Sequence, residues 1–138
     1  MKKPKHISPP PAKKILIVDD EQGILDFFNK ALSKEGYKVV TALNGLEAIK
    51  LVREEKPELV ILDIKMPGID GIETLKRLRW LNKKTIVIML SAYGTMDSAK
   101  EALKLGAHDY VTKPIKLDYI KEVIKENIKA INFNDREK

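Results

Sequence analysis

The sequence predicts an α/β protein in which helices cover both faces of a parallel sheet. Three continuous apolar runs of strand length lie at residues 15–18, 59–62 and 86–90, as expected for strands buried on both faces. Helical stretches with recognisable ends separate these runs. Strands that alternate with helices in this way favour a parallel sheet with right-handed crossovers.

The helices are predicted from their ends and their apolar spacing. Gly36 and Gly106 suit the left-handed position that follows a helix. Asn44 and Asp70, each with a glutamate three residues later, are typical N-caps. Two weaker strands are predicted at 37–41 and 109–111. The predicted helices span residues 22–35, 45–55, 71–81, 99–105 and 117–131.

This order of elements, (βα)₅, predicts a flavodoxin-like doubly wound parallel sheet with strand order 2-1-3-4-5. In that topology ligands bind at the carboxyl ends of the strands, around the switch point between the first and third strands. We therefore expect the functional residues at that edge of the sheet.

Length and charge define the predicted domain organisation. The 138 residues predict one domain at 13–131, preceded by a flexible, basic, proline-rich leader at 1–12 and followed by a C-terminal tail at 132–138. Most of the net charge of +6 comes from the first 14 residues, which hold five lysines and no acid. Since the rest has little basic excess, we expect no direct nucleic-acid binding by the domain.

Composition also limits the location and the metal chemistry. No apolar run is long enough to span a bilayer and the N-terminus lacks a secretory signal, so we expect a cytoplasmic protein without membrane contact. The chain has no cysteine, which excludes a thiolate metal site, and its two histidines are too few for a zinc cluster. Any metal must be bound by oxygen.

Acidic residues follow two strands that are neighbours in the predicted order. Asp19, Asp20 and Glu21 come directly after the first strand, and Asp63 follows the third. Because adjacent strands lie about 4.8 Å apart, these carboxylates would repel one another unless a cation lay between them. Mg²⁺ suits such ligands. Taken singly, each acid has an ordinary explanation as a helix cap or a turn residue.

A hydroxyl and an ammonium group are predicted at the same edge. Ser91 ends the fourth strand and Lys113 follows the fifth. Ser91 could hydrogen-bond a phosphoryl oxygen, and Lys113 could neutralise its charge. Each residue alone is typical of a turn or a solvated surface, but their joint position beside the acids indicates a site for phosphate.

Four segments resemble the bacterial two-component response-regulator receiver family over about residues 13–131. They are KILIVDDE, LVILDIKMPGIDG, IVIMLSAYG and GAHDYVTKP. The resemblance implies that Asp63 accepts a phosphoryl group from a sensor histidine kinase or a phosphotransfer protein, in a domain that catalyses only its own phosphorylation and dephosphorylation. It also implies that Asp20, Asp63 and the backbone carbonyl of Lys65 bind Mg²⁺ directly, whereas Asp19 acts through water.

The same resemblance assigns a switch to the fourth and fifth strands. Lys113 would pair with Asp63 and then with the phosphoryl group. Ser91 would move towards a phosphoryl oxygen, and Tyr110 would turn inward behind it. For Tyr110 the alternative is an aromatic ring at the edge of the core with its hydroxyl in water. The family has a cis peptide bond at the position of Lys113-Pro114.

The first predicted helix has more apolar residues than a core-facing stripe needs. By resemblance to phosphorelay receivers, Ile24 and Phe27, together with Pro114, are expected to contact the kinase or phosphotransfer protein. Core packing is the alternative for Ile24 and Phe27. We expect the domain to be mostly monomeric.

Two positions are expected to control how long the phosphoryl group survives. In this family the side chains at Lys65 and Tyr93 flank the approach of the hydrolytic water. The ring of Tyr93 should obstruct that water, and Lys65 lacks a carboxamide or carboxylate to orient it, which predicts slow dephosphorylation. The alternative is that both side chains point into solvent.

Other functions remain open at this stage. A small aspartate-based phosphatase of the haloacid dehalogenase type needs Asp-x-Asp after the first strand, where this chain has Asp19-Asp20-Glu21. A flavin binder needs a Gly/Ser/Thr-rich phosphate loop there. Within the receiver family, the end of the chain soon after the last helix favours a free-standing regulator. Residues 91–114, however, resemble the N-terminal receiver of DNA-binding transcriptional activators.

Overall fold

Strands and helices alternate along the chain in the computed structural model, which describes residues 13–65, 70–92 and 96–136. The elements are β1 (Lys14–Val18), α1 (Gln22–Lys34), β2 (Lys38–Ala42), α2 (Gly45–Glu55), β3 (Leu59–Asp63), α3 (Gly71–Leu81), β4 (Ile86–Ser91), α4 (Met96–Lys104), β5 (Asp109–Thr112) and α5 (Leu117–Arg136).

The five strands form one parallel sheet in the order β2-β1-β3-β4-β5. This confirms the predicted (βα)₅ flavodoxin-like topology. The switch point lies between β1 and β3, where Val18 pairs with Leu62. The next residue on each strand is therefore acidic, Asp19 on one and Asp63 on the other.

Side chains that alternate along the strands build two apolar clusters, one on each face of the sheet. Ile15 and Ile17 belong to the cluster that α1 and α5 cover, whereas Leu16 and Val18 belong to the cluster under α2, α3 and α4. Every residue of β3 and β4 is buried. Burial on both faces explains why these strands are continuous apolar runs.

The predicted helix ends are confirmed at four positions. The side-chain oxygen of Asn44 accepts a hydrogen bond from the amide of Glu47 at 2.9 Å, and Asp70 accepts one from the amide of Glu73 at 2.8 Å. Gly36 and Gly106 have φ angles of 93° and 105°, in the left-handed region that glycine adopts without a steric penalty.

Two predicted boundaries were wrong. Helix α5 continues to Arg136, so residues 132–136 of the predicted tail are helical. No glycine or proline follows Ile131 to stop the helix, and the apolar spacing used to place its end does not mark the last polar turn. Helix α4 begins at Met96 rather than at residue 99, one turn earlier.

The predicted leader at 1–12 lies outside the described residues, so the division into leader and domain stays a prediction. Among the residues that are described, no helix combines the length and the apolar character needed to cross a membrane.

Candidate functional site

Two buried carboxylates lie side by side where β1 and β3 end. Asp19 is 1% exposed and Asp63 is 5% exposed. The amide of Asp19 donates a hydrogen bond to the carbonyl of Ala42 on β2, which keeps the chain in the sheet direction past the end of β1. A charged side chain is rarely buried this completely without a partner.

That partner is Lys113, which follows β5. Its Nζ donates to Oδ2 of Asp19 at 3.0 Å and to Oδ2 of Asp63 at 3.4 Å. The amide of Lys113 donates to the carbonyl of Ser91 at 2.7 Å, so backbone pairing with β4 places the ammonium group. The sequence predicted the contact with Asp63 but missed the shorter contact with Asp19.

The three groups carry two negative charges and one positive charge. Burial raises the pKa of Asp63; the charge of Lys113 opposes this effect, and the charge of Asp19 adds to it. For Lys113, burial alone would lower the pKa, but the hydrogen bond to Asp19 and the charges of both carboxylates outweigh it, so the pKa is raised. The site therefore retains excess negative charge that a further cation would neutralise.

Two exposed acids extend this site towards solvent. Carboxylate oxygens of Asp19, Asp20 and Glu21 lie within 4.8 Å of one another. The amide of Glu21 donates to Oδ1 of Asp19 at 3.0 Å, which orients the buried carboxylate. Glu21 was not among the predicted ligands, although its position next to the aspartate pair was the available signal. A set of carboxylate oxygens is the donor type that Mg²⁺ prefers.

The chain after Asp63 folds back over the strand end. The amide of Lys65 donates to Oδ1 of Asp63 at 3.3 Å. The amide of Gly71, the first residue of α3, donates to the carbonyl of Ile64 at 2.7 Å. A Cβ added to Gly71 would lie 2.5 Å from Cα of Ile64 and closer still to the carbonyl oxygen of Asp63. This requirement for glycine was not predicted.

The two predicted switch residues lie on neighbouring strands. Ser91 is buried at the end of β4, where it pairs with Thr112 of β5. Tyr110, on β5, packs against the cluster under α2, α3 and α4, and its hydroxyl is buried. Among the described residues this hydroxyl has no hydrogen-bond partner. The alternative that placed it in water is therefore wrong.

Residues 15–125 match the family model described as the response regulator receiver domain. The chain belongs to the response-regulator receiver family.

Relatives of this receiver differ in length. It is 45% identical over 114 residues to sporulation initiation phosphotransferase F of Bacillus subtilis. This match covers 83% of this chain and 92% of the relative. It is 42% identical to transcriptional regulatory protein ZraR of Klebsiella oxytoca, but the match spans only 25% of that protein. A solved receiver domain from Methanospirillum hungatei superposes with a TM-score of 0.87 at 32% identity, over 89% of this chain and 98% of that chain.

Members of the receiver family interact with histidine kinases or phosphotransfer proteins, and they generally bind Mg²⁺ in an acidic pocket. In this receiver the peptide bond between Lys113 and Pro114 is cis, as the resemblance implied. Tyr93 lies outside the described residues. The side chain of Lys65 is exposed beside the site.

The receiver also brings together the three residues predicted to contact a partner. Ile24, Phe27 and Pro114 line a groove of about 220 Å³ that Lys113 borders. Phe27 is 52% exposed, whereas Ile24 packs partly against the core. Core packing therefore explains the partial burial of the Ile24 side chain, but it does not explain the exposed ring of Phe27.

Proposed function

We propose that this receiver domain accepts a phosphoryl group on the carboxylate of Asp63 from a sensor histidine kinase or a phosphotransfer protein. The observation that carries the proposal is the Asp63 carboxylate at the switch point, 3.4 Å from the Nζ of Lys113 and beside a second buried carboxylate. An enclosed nucleophile next to a fixed cation is suited to phosphoryl transfer.

The chemistry requires positioning and charge neutralisation. An oxygen of Asp63 attacks the phosphorus of a phosphohistidine, so that an O–P bond forms as the N–P bond breaks and the imidazole of the donor leaves. Lys113 stabilises the negative charge of the phosphoryl oxygens as a compact point charge. Asp19 holds Lys113 in place before the transfer, through the 3.0 Å contact.

The oxygen donors at this edge fit Mg²⁺. Asp20 and Asp63 with the backbone carbonyl of Lys65 would bind it directly, and Asp19 would act through water. When bound, Mg²⁺ would neutralise charge on the carboxylates and on the transferring phosphoryl oxygens. The buried excess of negative charge at Asp19 and Asp63 supports this assignment.

The two aspartates after β1 should contribute unequally to metal binding. Asp20→Ala should weaken Mg²⁺ binding more than Asp19→Ala, because Asp20 is exposed at the edge of the site whereas Asp19 is already paired with Lys113. Isothermal titration calorimetry with MgCl₂ measures both affinities. Small and equal effects of the two substitutions would remove both residues from the ligand set.

Labelling by a small phosphodonor tests the function as a whole. Incubation with acetyl phosphate and Mg²⁺ should add one phosphoryl group per chain, as measured by mass spectrometry of the intact protein. The same protein should not turn over p-nitrophenyl phosphate, since an acceptor keeps the group on its own carboxylate. Steady turnover of the ester would instead favour the small aspartate-based phosphatase.

The groove beside Lys113 is proposed as the contact for the phosphodonor protein, through Ile24, Phe27 and Pro114. Its apolar lining lies next to the acceptor site, and Phe27 exposes about half of its surface there. A donor helix that buried this ring would bring a phosphohistidine close to Asp63.

Truncation of Phe27 should slow phosphoryl transfer from a protein donor but not from a small phosphodonor. Phe27→Ala should slow transfer from a phosphorylated histidine phosphotransfer domain by about tenfold or more, as expected for an exposed aromatic contact residue. Labelling by acetyl phosphate should be unchanged. Leu103→Ala is the matched control, because Leu103 is similarly exposed on α4, outside the groove. Equal slowing by both substitutions would contradict the proposed contact.

The remaining assignments are part of the same proposal. Ser91 and Tyr110 would couple phosphorylation to the surface of α4 and β5. The buried hydroxyl of Tyr110, which has no hydrogen-bond partner within the described part of the chain, supports a residue that gains a partner on switching. Lys65 and Tyr93 would make hydrolysis slow. A free-standing, mostly monomeric regulator in the cytoplasm, without direct nucleic-acid binding, fits these roles.

A further inference from the structure

A second groove lies between α2 and α3, on the opposite face of the sheet from α1 and α5. Its volume is about 420 Å³. Trp80, the single tryptophan of the chain, is 85% exposed on one side, and Leu46 is 61% exposed on the other. Ile49 forms part of the floor and packs partly against the core. A contiguous apolar surface of this kind is typical of an interaction site rather than of scattered surface residues.

The shape of the groove suits a helix. Leu46, Ile49 and Arg53 are spaced by three and four residues and form a stripe along α2. Lys76 and Trp80 form the facing stripe on α3. The seven residue steps from Leu46 to Arg53, at 1.5 Å each, give the groove a length of about 10 Å, or two turns of a bound helix.

The charge of the groove is of one sign. Arg53, Lys76 and Arg77 line it, and no acid does so among the described residues. Arg77 pairs with Glu73 at 3.4 Å, whereas neither Arg53 nor Lys76 has an ion pair within the described part of the chain. Two cations that flank exposed apolar side chains favour an occupant with acidic residues beside an apolar stripe.

We propose that the groove between α2 and α3 binds an acidic amphipathic helix of a protein partner. The apolar side chains of that helix cover Trp80 and Leu46, and its acidic residues pair with Arg53 and Lys76. Because this groove and the groove beside Lys113 lie on opposite faces of the sheet, the partner binds without displacing a phosphodonor. The site is independent of phosphoryl acceptance by Asp63, so either proposal can fail alone.

A display library tests the proposal without a known partner. It contains helical peptides of about 15 residues, with leucine on one face and glutamate, glutamine or lysine in equal proportion elsewhere. Selection on the full chain should enrich glutamate over lysine. The best selected peptide should shift the emission of Trp80 to shorter wavelength in a saturable titration. Selection of no binder, or of binders without an acidic preference, would overturn the proposal.

Charge reversal then tests the site. Arg53→Glu combined with Lys76→Glu should weaken binding of the selected peptide by about tenfold or more and reduce its dependence on salt. Lys104→Glu, on the exposed surface of α4 outside the groove, should leave binding unchanged. Equal affinity in the double variant would overturn the proposal. A shift of Trp80 emission with protein concentration alone would also overturn the proposal and would assign the groove to a second copy of this chain. Binding of a single-stranded DNA oligonucleotide more tightly than the selected peptide would overturn it as well.

Discussion

Asp63→Asn should abolish phosphoryl labelling by acetyl phosphate. The amide is neutral and a poor nucleophile, so it cannot form the acyl phosphate. Its single carbonyl oxygen can still accept the hydrogen bond that the amide of Lys65 donates to Oδ1 of Asp63, and Lys113 keeps its shorter contact with Asp19, so the fold should persist. Mass spectrometry of the intact protein measures the loss. Asp109→Asn, at the amino end of β5, is the control that should keep full labelling, and label on Asp63→Asn would place the acceptor elsewhere.

The same substitution tests the electrostatics of the site. Because burial, helped by Asp19, raises the pKa of Asp63, the folded protein holds its proton more tightly than the unfolded chain. Wild-type stability is therefore lost as the pH rises through the folded-state pKa. In EDTA at neutral pH, Asp63→Asn should unfold at a higher temperature than the wild type. The difference should shrink at acid pH; a difference that grew there would contradict this sign.

Gly71→Ala should be strongly destabilising. The added methyl group would collide with the carbonyl oxygen of Asp63 and with Cα of Ile64, which are backbone atoms that cannot rotate away. Overpacking of this kind costs about 1–3 kcal/mol, more than the higher helix propensity of alanine returns. Thermal unfolding should show a midpoint lower by several degrees. Labelling of Asp63 should also slow, since the backbone that positions its carboxylate must move.

Gly23→Ala is the matched control for this substitution. Gly23 lies in the first turn of α1, and beyond its chain neighbours and the nearby backbone of its own helix, no described atom lies within 4 Å of its added Cβ. Alanine there should leave stability unchanged or raise it by up to about 1 kcal/mol, through the smaller entropy loss of alanine in a helix. Equal destabilisation by both substitutions would show that helix starts, rather than the contact with Asp63, determine the effect.

Local sequence signals predicted most of the fold. Asn44 and Asp70 marked helix starts because their side chains bond the backbone three residues later, and Gly36 marked a helix end because glycine tolerates positive φ. Helix α2 ends at Glu55 as predicted, but the left-handed conformation of Lys56, at φ 49°, has no signal in its residue type. The end of α5 was missed because its polar last turn has no apolar spacing.

The sequence predicted that Asp63 and Lys113 lie at one edge of the sheet, but it did not predict the contact of Lys113 with Asp19. Asp63 and Lys113 could be placed at one edge because parallel strands bring their carboxyl ends together. The preference of Lys113 for Asp19 depends on differences of less than an ångström between neighbouring strands. The buried hydroxyl of Tyr110 likewise depends on how the ring packs against the helical face of the sheet.

The sequence by itself determined the order of elements, the parallel sheet and the chemical types at its carboxyl edge, because these follow from periodicity, capping and the positions where strands end. The tertiary structure decided which charges are shared, why Gly71 must be glycine, and that Trp80 faces a basic groove across from Leu46. Those features depend on distances between segments far apart in the chain. Packing of whole helices and strands against one another determines such distances, and no local pattern encodes them.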